Sequence, residues 1–370
     1  MAKKNRIGIL TGGGDCPGIN AVIRAITKKA IIDHGCEIIG IEDGFEGVIH
    51  NRCRKLSYDD VSGIINLGGT ILGASNVSNP YRYAVTRNGG VEFVDMSPRV
   101  IANVKELALD CLMCIGGDGT LSIASRLACD GVPVIGLPKT IDNDLKETDI
   151  TFGFDSAVCI ATEGIDRVHT TAQSHHRIMV VEVMGRQAGW IALHAGVAGG
   201  GDIILIPEIP YDISVVADKI TERNQKGKRF TIVVVAEGAR PQGGEVVIQR
   251  IVKESTEPVR LGGIGFVLGS QIEQATGIET RTVVMGHLLR GGGPTPFDRV
   301  LATRLGVTAV DMLFRGQLGQ MAAVKGPAIE GVPLDEVARG PRTVPRNDPL
   351  IAAARSVGTC FGDRMVCAPG

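Results

Sequence analysis

Short apolar runs rich in β-branched residues alternate along this chain with longer amphipathic stretches, and that rhythm confines it to a parallel sheet with helices on both faces. Residues 6–10, 36–41, 111–115, 132–137, 177–183, 202–206, 229–236 and 281–285 read as strands; residues 18–33, 99–109, 120–129 and 156–171 read as helices. At 370 residues the chain exceeds the roughly 250 to 300 that one hydrophobic core sustains. The expected fold class is α/β, with two doubly wound, Rossmann-like α/β domains and the active site in the cleft between them. One domain is expected to hold residues 1–153 with about 289–339, the other 154–288 with about 340–370.

Three of these strands end at once in glycine or acidic residues: Gly12-Gly13-Gly14-Asp15, Gly116-Gly117-Asp118-Gly119, and Pro138-Lys139-Thr140-Ile141-Asp142-Asn143-Asp144. In open α/β sheets ligands bind beyond the carboxyl ends of the strands, so the three loops are expected to share one cleft. The first loop opens a helix, which aims bare amides at an anion, and phosphate is the natural ligand. It matches neither the dinucleotide fingerprint, because Pro17 occupies the third glycine position, nor the Walker loop, which ends in Gly-Lys-Ser/Thr. A plain strand-to-helix turn is its bland alternative. The second loop adds Asp118, a hard oxygen ligand suited to magnesium, or alternatively a helix N-cap. Similar strings occur in NAD kinases and lipid kinases.

A formal net charge of -1 supplies no field to draw nucleic acid or an acidic membrane. The count of 50 glycines implies many tight turns and close approaches of backbone to ligand. Nine cysteines sit mostly in apolar runs, and Cys111 and Cys114, despite a metal-ligand spacing, read as reduced core residues. Met1-Ala2-Lys3-Lys4 precedes a short apolar strand rather than a signal-peptide core, and no run of about 18 apolar residues follows. A cytoplasmic protein with neither membrane nor nucleic-acid partner is expected. After Pro341 the periodicity weakens, and the segment ending in Cys367-Ala368-Pro369-Gly370 reads as a loose tail.

Thr140-Ile141-Asp142-Asn143-Asp144, preceded by Pro138-Lys139, resembles the catalytic loop of the phosphofructokinase family. The resemblance extends in order from Ile7 to about Leu313 and implies phosphoryl transfer from ATP, or from pyrophosphate, to the 1-hydroxyl of fructose 6-phosphate with Mg2+. It makes Asp142 the base, gives Thr140, Asp144 and Arg186 catalytic places beside it, and assigns the donor to Gly13, Gly14, Gly117, Asp118, Gly119, Thr120 and Lys139. Asp118 is the metal candidate. Val183-Met184-Gly185-Arg186 resembles the family's sugar-binding turn, Glu237 its sugar-hydroxyl contact, and Gly286 to Gly292, through His287 and Arg290, its clasp on the sugar 6-phosphate. Arg177 and Arg281 match arginines that a neighbouring subunit lends, which implies a homotetramer or homodimer. A phosphate dianion wants several charge-assisted donors, and four arginines supply them.

Two positions bear on the donor. Gly119 stands where pyrophosphate users of the family usually carry a second aspartate, which would crowd and repel a nucleotide α-phosphate. Lys139 stands where the familiar bacterial ATP enzymes carry glycine; its long stem is expected to swing aside or to neutralise phosphate. ATP is favoured. Asn76 replaces a usual arginine, with Arg82 or Lys139 as compensators, and Phe45 replaces a tyrosine while keeping a stacking surface for the nucleotide. The competing readings are a pyrophosphate-dependent enzyme that also accepts sedoheptulose 7-phosphate, a lipid or NAD kinase, and a sugar-phosphate-binding regulatory subunit without catalysis.

Overall fold

The computed structural model describes residues 5–87, 90–251 and 259–364; the basic start 1–4 and the last six residues of the expected tail lie outside them. Strands β1 (Arg6–Thr11), β2 (Glu37–Ile41) and β3 (Cys53–Leu56) lead into a hairpin of β4 (Tyr83–Arg87) and β5 (Gly90–Val94), then β6 (Cys111–Gly116) and β7 (Val134–Pro138). The middle of the chain supplies β8 (Ile178–Val183), β9 (Ile203–Leu205), β10 (Thr231–Ala236), a ribbon of β11 (Ile248–Ile251) and β12 (Val259–Leu261), and β13 (Thr280–Val284). Finally β14 (Gln320–Lys325) and β15 (Ala328–Pro333) return to the first layer.

The larger sheet has the order β15-β14-β7-β6-β1-β2-β3, parallel from β14 to β2 and antiparallel at its two outermost pairs. A smaller sheet, β13-β8-β10-β9, is parallel throughout. The inner strands of both are buried on both faces, which is why they read as near-continuous apolar runs. Ile7, Ile9, Met113, Ile115 and Leu137 pack into one core on one face of the larger sheet, whereas Leu10, Leu112, Cys114 and Val134 pack into another on the opposite face. The first core continues through Met179, Val181, Ile232 and Val234 of the smaller sheet, so one apolar layer runs across both. The smaller sheet's outer face, with Val180, Val233 and Val235, is covered by helices Ile213–Gln225 and Ile264–Thr276.

Cys111 and Cys114 belong to opposite faces of β6, so they cannot ligate one metal; both are free, and burial pushes both thiols up. No helix among the described residues is long and apolar enough to cross a membrane.

The segment after Pro341 is not loose as far as Arg364. Helix Pro349–Ser356 is capped by Asp348, whose side chain accepts the Leu350 amide at 2.9 Å. Cys360 lies beside β9, accepting from the Ile204 amide at 2.9 Å and donating to the Asp202 carbonyl at 3.0 Å, and Phe361 is fully buried. The weak periodicity reflects an eight-residue helix that buries only Ile351 and Ala354.

Candidate active site

Strands β7, β6 and β1 are neighbours, so the three glycine and acidic loops at their carboxyl ends meet. The Gly12 amide donates to the Ile115 carbonyl at 2.9 Å, and the Gly13 amide to Ser75 at 3.1 Å. Gly13 sits at φ 73°, a left-handed turn that a side chain would strain. Thr120 is buried between the loops. A Cβ at Gly12 would approach its Oγ1 to 2.5 Å, and one at Gly116 would overlap its side chain. Its side chain therefore packs against both loops, where only glycine leaves it room. Gly119, by contrast, is exposed, and a Cβ there would meet nothing within 4 Å.

Lys139 does not swing free: it is 3% exposed and its ammonium donates to the Gly14 carbonyl. Burial depresses its pKa, with Arg290 acting the same way, while Cys16, Asp15 and Asp142 oppose the shift. A buried lysine amine thus lies against the phosphate-type loop, fixed in place by its bond to Gly14.

Within the acidic loop the Asp142 amide donates to Thr140 Oγ1 at 3.1 Å, and Thr140 Oγ1 lies 3.3 Å from Asp144 Oδ1. Asn143 turns the chain at φ 51°, and its side chain accepts the Thr151 amide at 3.0 Å. Burial pushes the Asp144 carboxyl well up, and Asp142 and Asp118 push it further. Three carboxylates therefore lie close enough to disfavour one another's charge. Among the described residues no three acidic, histidine or cysteine side chains form a chelating group by themselves.

The facing wall comes from β8, β10 and β13, also neighbours. After β8 the chain turns through half-buried Met184, then Gly185 at φ 140°, then Arg186. After β10, Glu237 donates its amide to the Val183 carbonyl at 2.9 Å, and a Cβ at Gly238 would overlap the Arg186 carbonyl. Glu237 is pushed up to about 7, by burial first and then by Asp142 and Glu182. Asp142 of one sheet and Glu237 of the other thus feel each other across the cleft. Arg290 joins the walls: its Nη1 donates to the Asp15 carbonyl at 3.1 Å, and its charge acts on both Lys139 and Glu237. His287 is exposed at the rim.

A carboxyl held high costs the fold stability once it ionises. Below about pH 4.5, Glu237 is neutral in folded and unfolded chains alike. Between there and about pH 7 only the unfolded chain releases the proton, so stability falls as pH rises. Glu237→Gln should therefore raise the melting temperature of the ligand-free protein at pH 8, by the equivalent of about 2 to 3 kcal/mol, and the gain should vanish near pH 4. A gain independent of pH would contradict the assigned cause.

Arg177 and Arg281 lie elsewhere. They flank the amino ends of β8 and β13, and both hold the Glu279 carboxylate, at 2.7 and 2.5 Å. Six residues of β8 separate that end from Met184, roughly 20 Å at 3.3 Å per residue. Within one chain they do not reach the cleft.

Asn76 follows Ser75, which no motif singled out although its carbonyl anchors Gly13. The Arg82 guanidinium lies 4.1 Å over the Phe93 ring in the β4–β5 hairpin, so of the two expected compensators Lys139 is the one in the cleft. Phe45 is 3% exposed, in the core behind β1, so it offers no stacking surface, contrary to expectation.

Comparison with known proteins bears on this cleft. The family model described as Phosphofructokinase matches residues 6–313. The chain is 50% identical to "ATP-dependent 6-phosphofructokinase 2" of Clostridium perfringens, covering 98% of this chain and 100% of that protein. It is 51% identical to "Pyrophosphate--fructose 6-phosphate 1-phosphotransferase" of Amycolatopsis methanolica, covering 92% and 96%. Among solved structures, Pichia pastoris phosphofructokinase in the T-state superposes with a TM-score of 0.78 at 30% identity, covering 97% of this chain and 37% of that longer one.

Proposed function

The chain belongs to the phosphofructokinase family, and from that premise we propose that it phosphorylates fructose 6-phosphate on its 1-hydroxyl with ATP as donor, as a glycolytic enzyme of the cytoplasm. The observation that carries the reading is the meeting of Asp142 and Glu237 across a cleft floored by glycine loops and a buried lysine. Residues 1–153 with about 289–339 are assigned to donor binding, and 154–288 with about 340–370 to the sugar.

In this mechanism the Asp142 carboxylate accepts the proton of the sugar hydroxyl as its oxygen attacks the terminal phosphorus. The bond from phosphorus to the bridging oxygen breaks, and the electron pair leaves with ADP. The Gly14 amide and the helix start at Gly117 to Gly119 cradle the donor phosphates, with Gly13 turning the loop and Lys139 fixing it from below. Met184, Gly185, Arg186 and Glu237 hold the sugar, with Thr140 and Asp144 shaping the loop around the base. The crowded carboxylates fit a hard divalent cation: Asp118 would hold Mg2+, which when bound would neutralise phosphate charge.

Arg290 and His287 take the sugar 6-phosphate from this chain, and Arg177 and Arg281 from a partner in a homotetramer or homodimer. Chains carrying Asp142→Asn mixed with chains carrying Arg281→Ala should regain activity that neither has alone. A mixed oligomer contains an interface where intact Asp142 faces intact Arg281. Verified subunit exchange without recovery would sink the shared site.

One specific observation favours a second donor: a relative named for pyrophosphate is as similar as those named for ATP, and Lys139 is present. Steady-state assays decide. Turnover of fructose 6-phosphate with ATP is expected at a higher kcat/KM than with pyrophosphate; the reverse order overturns the donor, and no turnover with any sugar phosphate overturns the enzyme.

A further inference from the structure

Arg342 lies far in sequence from every motif of the site, yet it closes around the acidic loop from behind. Its amide donates to the Asp144 carbonyl at 2.6 Å, and its guanidinium donates to the Asn143 carbonyl through Nη2 at 3.0 Å and Nε at 3.3 Å. Asn143 lies in the left-handed region, a conformation that strains a non-glycine residue and persists only where its surroundings hold it. The same guanidinium lies 4.7 Å over the Trp190 ring, and Trp190 Nε1 donates back to the Arg342 carbonyl at 3.1 Å. Two residues on, the Val344 amide donates to Glu208 Oε1 at 2.7 Å, the oxygen that also accepts the Gly189 amide at 3.0 Å.

The acidic loop hangs from the larger sheet, whereas Gly189 and Trp190 open the helix that follows the Met184 to Arg186 turn of the smaller one. Residues 342–344 therefore tie the two walls of the cleft together through fixed bonds at both ends. Resting on the reading of Asp142 as base, we propose that Arg342 is a positioning residue, setting the distance of Asp142 from the sugar turn by holding Asn143 and Asp144. Arginine suits the place because one planar fork bonds twice to a carbonyl while its face stacks on indole; lysine, a point charge, does only one of these well.

Trp190 is the sole tryptophan of the chain, so its emission reports whether the guanidinium is seated. The purified full-length protein, assayed with ATP and fructose 6-phosphate, is compared with Arg342→Ala and Arg342→Lys. A displacement of about 1 Å at a reacting group costs roughly 10²-fold, so Arg342→Ala should lose about that much kcat with both KM values within about threefold. Its tryptophan emission should change, and added guanidinium ion should restore at least about tenfold; Arg342→Lys should fall about tenfold. A kcat near wild type overturns the proposal, as does a loss that follows the melting curve and ignores guanidinium. Asp142→Asn, assayed in parallel, separates the two ideas: if it stays fully active the base assignment fails, whereas inactive Asp142→Asn beside active Arg342→Ala removes only the positioning role.

Discussion

Asp142→Asn is expected to lower kcat by roughly 10²- to 10⁴-fold while the KM for fructose 6-phosphate moves far less. The amide is nearly the same shape as the carboxylate, and the bond from the Asp142 backbone amide to Thr140 Oγ1 is untouched by the change. What disappears is the proton acceptor. The substitution also removes a charge that raises both Asp144 and Glu237, so both should ionise at lower pH in the variant. Relief of that repulsion offsets the lost attraction of Asp142 for Lys139, and a melting curve beside the kinetics separates unfolding from lost catalysis. Single-turnover measurements with sugar in excess check the prediction. A kcat within about tenfold of the parent would remove Asp142 from the chemistry and assign the proton to another acceptor.

The parts of this cleft that could be read from the sequence are those where the chain punctuates an apolar run sharply. Strands β1, β6 and β7 are buried on both faces, so their residues are apolar throughout and their ends are marked at once by Gly12, Gly116 and Lys139. Adjacent placement in the sheet then brings their loops together, as the rule for open sheets demands. The antiparallel edges formed by β3 and β15 escaped because Cys53–Leu56 and Ala328–Pro333 are half exposed and too mixed in character for either period. Lys139 shows the other limit. Sequence gives its long stem, but only the turn of the Gly14 carbonyl toward it makes the ammonium an interior strut. Phe45 failed for the same reason, since the residue type that stacks on a base is also the one that fills a core. Arg342 had no signal to find: its partners are the backbone carbonyls of Asn143 and Asp144, which leave no mark on the residues that carry them.

Gly119→Asp is expected to cut kcat/KM for ATP by about 10³-fold while leaving pyrophosphate turnover within a few-fold of its starting value. The folded state should accept the change readily. Gly119 lies in the first turn of helix Asp118–Cys129, its backbone is not left-handed, and a Cβ meets nothing within 4 Å. A carboxylate there even complements the helix dipole, by about 0.3 to 1 kcal/mol. The penalty falls instead on a ligand whose phosphate chain extends past Gly119. Two like charges about 4 Å apart in a cleft of effective dielectric near 20 repel by about 4 kcal/mol, which corresponds to about three powers of ten in affinity or rate. In the proposed binding mode pyrophosphate would end before that point and gain nothing from the open space glycine leaves. Steady-state kinetics with both donors, beside a melting curve, check the outcome. An equal loss with both donors would show that the new charge acts on the shared phosphates or on Asp118, and would detach Gly119 from donor choice. An unchanged ATP rate would show that the nucleotide runs another way across the β1 and β6 loops.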